Sequence, residues 1–340
     1  MRDRFLFFAV FVVLFLIPTV YFGSLGGSVS DWVASYWHVN YTYGFVRRGL
    51  VGTLALPFGD VKRFAFWSTF MASILMALIF TFLTEDRRLW LLFLLSPATA
   101  LHLGFDVGRY DHFNLLLMAV SLLLIKRERY LYVIPPLTAL GVLVHEAYVI
   151  YAVPVLTAIL WLKSKRVAIL NGIVAISLVF AVVMWGNLSP QMESYLLSRP
   201  EVIPDAIEVL SAGVKDTIFS NLSYILGEVL RRPWDFLLPI LILSGYTVVY
   251  LHSARDLPPY VRMSPFTGLL LFLLGYDYPR WVSIMVMLLL FLMAFSGVTV
   301  HRKVRKLSFL LMATTLLGPL GAGHYAFPIL EALIFGTPPY

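Results

Sequence analysis

The chain contains no cysteine. Disulfides, thiolate metal centres and cysteine nucleophiles are therefore excluded at the outset. Charge is scarce as well: Asp, Glu, Lys and Arg make up 13% of the 340 residues, against roughly a quarter in a soluble domain. Two catalytic signatures are missing too. No glycine-rich loop is built to cradle a phosphate, and no Gly-x-Ser-x-Gly elbow presents a nucleophile. What remains is apolar, with 60% hydrophobic and 15% aromatic residues. This composition describes a polytopic integral membrane protein whose first partner is the lipid bilayer. The net charge of +7 does not point to nucleic acid, because the basic residues sit in short clusters between apolar runs, as loop anchors do.

A membrane span needs about 20 apolar residues, fewer where the bilayer thins. The runs predict an all-α helical bundle of about 11 transmembrane helices. They lie at about 5–22, 64–84, 89–104, 112–125, two short spans within 130–162, then 167–186, 235–252, 263–275, 281–300 and 307–322. The run 130–162 is too long for one span and is divided at His145-Glu146. The first run is too long for a signal-peptide core and is read as an uncleaved span. The whole reads as a single transmembrane domain, 1–340, with outer loops at about 23–63 and 187–234. With the N-terminus cytoplasmic, inner segments carry 16 Lys and Arg against 5 Asp and Glu, and outer segments 10 against 14. That is the positive-inside asymmetry, and it places the functional face on the extracytoplasmic side of a cell membrane. The sequon at Asn40 falls on that outer face.

The polar residues that interrupt this pattern are few. Gly104-Phe105-Asp106-Val107-Gly108-Arg109-Tyr110-Asp111-His112 joins two apolar runs. A shorter copy, Gly275-Tyr276-Asp277-Tyr278-Pro279-Arg280-Trp281, lies six spans later. Both read Gly, aromatic, Asp, two residues, Arg, aromatic. An Asp and an Arg three apart on a helical turn can pair as a rim salt bridge. Alternatively Asp106 or Asp111 serves as general base, or Asp106, Asp111 and His112 hold a divalent cation. In the first outer loop, Arg47-Arg48 runs against the charge trend and lies among Gly44, Gly49 and Gly52. Paired arginines suit a bidentate grip on phosphate; lipid headgroup anchoring is the alternative. His145-Glu146 interrupts an apolar run without forming His-Glu-x-x-His, and reads as a catalytic acid, a metal ligand or a satisfied pair at a helical hairpin.

The charged first outer loop, the many spans and the outer-face acids and arginines resemble the membrane glycosyltransferases of the GT-C class. They also resemble the related polymerases and ligases that use polyprenyl-diphosphate glycans. The resemblance implies a catalytic acid in the first outer loop, where Asp31 stands. It also implies outer-face arginines on the diphosphate, which Arg47, Arg48, Arg109 and Arg280 would supply, and a histidine or acid that assists, met by His145, Glu146 or Asp106. Asp277 and His112 would support them. The expected function is transfer of a sugar or glycan from a polyprenyl-phosphate carrier outside the membrane, with further membrane proteins as possible partners. The rival class is a transporter or flippase for a lipid-linked or small anionic substrate.

Overall fold

A computed structural model describes residues 2–21, 27–211, 221, 223, 225, 227, 229–275, 277–321 and 326–335. Residues 212–220 of the expected outer loop, and Tyr276 of the second stretch, lie outside that range. The described elements are helices. In chain order they are α1 (Arg2–Tyr21), α2 (Asp31–Trp37), α3 (Gly49–Ala55), α4 (Val61–Leu83), α5 (Arg87–Leu94), α6 (Ala100–Phe105), α7 (Asp111–Lys126), α8 (Ile134–Val144), α9 (Tyr148–Lys163) and α10 (Lys165–Trp185). There follow α11 (Pro190–Leu197), α12 (Pro204–Ser211), α13 (Pro233–Ser253), α14 (Pro259–Met263), α15 (Leu271–Leu274), α16 (Tyr278–Ser296), α17 (Arg305–Ala313) and α18 (Pro328–Phe335).

Five of these, α1, α4, α10, α13 and α16, are long and apolar enough to cross a membrane. The other expected spans are shorter or broken. The run 89–104 is two helices, because Pro97 cannot continue a helix and Thr99 turns back to donate to the Phe93 carbonyl. The run 263–275 passes from α14 through a 3₁₀ segment, Ser264–Leu270, to α15. The run 307–322 holds only the last seven residues of α17 before a 3₁₀ turn that Gly318 ends at φ 93°. The break at His145 falls as expected, with His145 extended between α8 and α9.

The chain falls into two compact units: Met1–Phe22 with Ala77–Asp106 and Val214–Tyr340, and Gly23–Met76 with Val107–Gly213. In the first unit α16 is apolar on all faces beyond Arg280 and Ser283 and is buried from Tyr278 to Ala294, as a helix without a polar face must be. Phe291 of α16 meets Phe80 and Phe93, whose stacked rings lie 4.1 Å apart, and Phe7 and Phe11 of α1 close the cluster. Where α1 crosses α6, a methyl at Gly104 would overlap the Phe15 carbonyl, so only glycine lets the backbones approach this closely. Charged ends gather at one rim. Asp3 pairs with Arg87, Arg4 lies 3.8 Å from Glu85, and Asp86 accepts from Val300 N at 3.4 Å.

In the second unit α7 to α10 pack on one another. At one end Lys163 pairs with Glu128. At depth, Asn171 of α10 accepts from Thr138 of α8 at 2.7 Å and donates to Thr157 of α9 at 3.0 Å. The outward face of α10 is apolar, with Ile176 72% exposed, as a face bathed in hydrocarbon would be. Asn40 is not an open sequon. Its buried side chain donates to His38 O at 2.8 Å and accepts from Thr42 N at 2.9 Å, shaping the turn it sits in.

Candidate functional site

The densest polar constellation belongs to the second unit, and short elements build it. Ser30 caps α2 by accepting from Val33 N. That helix buries Tyr36 and Trp37. Trp37 Nε1 donates to Gly108 O at 2.7 Å, and Tyr110 Oη donates to Tyr36 O at 2.5 Å. Gly108 N in turn donates to Thr69 Oγ1 of α4 at 3.0 Å. The turn carrying Arg109 is thus pinned from two sides. Gly108 takes φ 96° there, a conformation closed to most side chains.

Arg48 lies at the centre. It precedes α3 with φ 63°, one of three non-glycine residues in the left-handed region among the described residues. Such a backbone costs roughly 1–2 kcal/mol and persists only where the surroundings hold it. Here the hold is Glu146. Arg48 Nε lies 3.0 Å from both Glu146 carboxylate oxygens, and Nη2 donates to Oε1 as well. The Arg48 guanidinium lies over the Tyr36 ring at 5.9 Å, and Arg109 lies over the same ring at 6.0 Å. Next to this pair, Arg47 donates from its main chain to Gly186 O at 3.0 Å and from Nη2 to Leu210 O.

The charges set one another. Burial alone would raise the Glu146 carboxyl, but the Arg48 guanidinium, with Arg47 beyond it, holds it far below the ordinary carboxylate range. Burial would likewise lower Arg48, and Glu146 outweighs it and raises the guanidinium above its ordinary value. Arg47 is lowered, chiefly by burial. Burial pushes the Tyr41 phenol up to about 12. His145 places Nδ1 4.0 Å from Glu146 Oε2. Ala147 N donates to that same Nδ1 at 3.0 Å, which assigns the ring proton to Nε2. Asn114 of α7 ties the turn down by donating to His145 O at 3.2 Å.

The structure therefore joins Arg48, Glu146, His145 and Arg109 with Tyr36 at the hub. Two expectations change. The Arg47-Arg48 pair does not present two open forks: Arg48 spends its fork on Glu146, and Arg47 gives an Nη2 hydrogen to a carbonyl. Glu146, ionised and doubly bonded, is a poor base. Among the described residues no three His, Asp or Glu side chains are grouped so that they could hold a metal ion. His112 Nδ1 instead lies 2.6 Å from Ser73 Oγ of α4.

The remaining residues stand as follows. Asp31 pairs with Lys62. Asp106, 7% exposed, ends α6 with its N–H on His102 O at 2.8 Å. Asp111, 5% exposed, opens α7. Asp277 and Arg280 pair locally in the first unit at 2.7 Å, with Arg280 4.3 Å from the centre of the Trp281 ring. The sequence reading missed Tyr36, Tyr110 and Asn114. The density of aromatics at Trp32, Tyr36 and Trp37 beside Asp31 was the one available signal for the first. No protein-family model, curated protein or solved structure matches this chain.

Proposed function

We propose that the chain is a membrane glycosyltransferase or glycan polymerase that uses a polyprenyl-phosphate-linked sugar donor at the extracytoplasmic face. The observation that carries this reading is the arginine-rich hub around Tyr36. Arg48 and Arg109 lie against one aromatic ring with Arg47 alongside, and this gathering of guanidiniums supports an anionic substrate through accumulated positive charge rather than through an open fork. In the reaction, a carboxylate takes the proton of the acceptor hydroxyl. The acceptor oxygen bonds to the anomeric carbon, and the carbon–oxygen bond to phosphate breaks with its electron pair on the phosphate oxygen. Arginines neutralise that departing charge. Asp106 and Asp111, both buried, are the carboxylates proposed for proton transfer. Glu146 becomes a positioning residue that fixes the Arg48 fork.

The proposed orientation has the N-terminus cytoplasmic and rests on the basic-residue asymmetry. Single cysteines in this cysteine-free chain test it at exposed positions. Gly59 and Ser198 should label from outside, and Glu128 and Lys303 from inside. The activity is tested in proteoliposomes holding a polyprenyl-diphosphate sugar and a glycan acceptor. Appearance of the sugar on the acceptor supports the enzyme. Movement of the intact lipid between leaflets without a new glycosidic bond sinks it and favours a carrier.

A further inference from the structure

The first unit holds a feature that the proposed chemistry does not use. A cavity of about 430 Å³ lies over the start of α13, lined by Val229, Phe236, Leu237, Ile240, Phe272 and the ring of Tyr278, among others. We propose that it is a binding site for one hydrocarbon chain of a bilayer phospholipid.

Three observations support that occupant. The lining is apolar except for Tyr278, so water in such a space meets at most one hydroxyl where it needs two to four polar partners. An apolar space of this size left empty would also forfeit the contacts of every side chain around it. The space further belongs to helices suited to lipid. α13 and α16 are two of the five helices able to cross a membrane. On α13 the lining runs from Pro233 to Ile240, about 12 Å of helix, which is less than half of a hydrocarbon core about 30 Å thick. Leu237 and Ile240 are 47% and 50% exposed, and Leu241 beside them is 64% exposed, so the space is continuous with the face that meets hydrocarbon. The lining, finally, contains no Lys or Arg, and two guanidiniums beside it are held by carboxylates, Arg232 by Asp235 at 3.0 Å and by Glu331, and Arg280 by Asp277. The lining is therefore suited to a hydrocarbon chain and offers no phosphate-binding group of its own. It does not depend on the glycan-transfer reading.

The test uses the full chain in phosphatidylcholine vesicles containing a small fraction of phosphatidylcholine with a diazirine midway along one acyl chain. After illumination, adducts are mapped by peptide mass spectrometry. Adducts on residues 229–240 and 272–278 should exceed those on the equally apolar outer face of α10. Leu237→Trp, or Ile240→Phe should the first fail to fold, fills the space and should reduce that excess to the α10 level. The retained melting temperature of each variant is the folding control. Adducts spread evenly over both faces overturn the proposal. So does competition by a polyprenyl phosphate at far lower concentration, which assigns the space to that lipid. Efficient crosslinking of two copies through Leu237→Cys overturns it in favour of a second protomer.

Discussion

In the stretch from Gly104 to Arg109 the aspartate closes a helix; in the stretch from Gly275 to Arg280 it opens one. The difference traces to the one position where the two patterns are least alike, Gly108 against Pro279. Proline is preset for the first turn of a helix, so α16 begins at once and Arg280 folds back on Asp277 three residues away. Glycine at 108 takes φ 96° and reverses the chain, and Arg109 lies against Tyr36. A shared pattern thus specifies which groups are present. The backbone between them decides whether they meet as a local rim pair or are held to other elements.

The largest expected contrast is chemical. Asp106→Asn should lower glycan transfer in proteoliposomes by about 10² to 10⁴, the usual range for loss of a general base, with little change in melting temperature. Transfer at the wild-type rate would remove Asp106 from the chemistry and leave Asp111 to be tested. Next comes the position that separates the two stretches. Gly108→Pro removes the N–H bonded to Thr69 and demands a φ that the turn does not have. It should destabilise by about 3 kcal/mol or more. Pro279→Gly frees the start of α16 and should cost about 1 kcal/mol. Similar losses for both in thermal melts would mean that this position does not explain the divergence.

A smaller effect is expected at the hub. Glu146→Gln keeps the shape and removes the charge that holds Arg48. With side chains 26% and 19% exposed, the loss should be about 1–3 kcal/mol. The carboxyl lies below its ordinary value in the folded chain, so its stabilisation is complete above the unfolded value near about 4.3. It is lost only as pH falls through the lower folded value. The gap in melting temperature between wild type and Glu146→Gln should accordingly stay constant from about pH 7 to about pH 5. A gap that closes within that interval contradicts the ion pair. The smallest effect belongs to the second stretch. Asp277→Asn should cost about 1 kcal/mol, because the buried Arg280 keeps an uncharged acceptor in place of the carboxylate, and leave transfer intact; strong loss of transfer would mean that the chemistry lies in this copy.

Much of the helical order is legible in composition alone. The breaks at Arg87, His145 and Ser164, and the five long helices, follow from where apolar runs stop and polar residues begin. The division of 89–104 was less visible, because Pro97 sits in a run that hydropathy treats as continuous. At the hub, the sequence reading placed Arg48 and Glu146 in functional roles but not in one bond, because 97 residues lie between them and no local period links the two. Tyr36 stayed hidden for a related reason. An aromatic in an aromatic-rich chain carries no local mark of serving as a platform for two arginines.

The Asn171 clamp bears on how the chain enters a membrane. Helix α8 has 11 residues, about 16 Å, too short to cross a hydrocarbon core about 30 Å thick. Alone it would leave the carbonyls of its last turn in lipid without partners, and the Thr138 hydroxyl without its partner on another helix. The acceptor that Thr138 finds is on α10, a segment synthesised later. Biogenesis of this region is then a matter of timing: α8 settles only after α10 has been made, and the three helices insert as one group. Chains truncated after Val144 should remain accessible to protease where chains truncated after Trp185 are protected. Protection of the shorter chain would show that α8 inserts unaided.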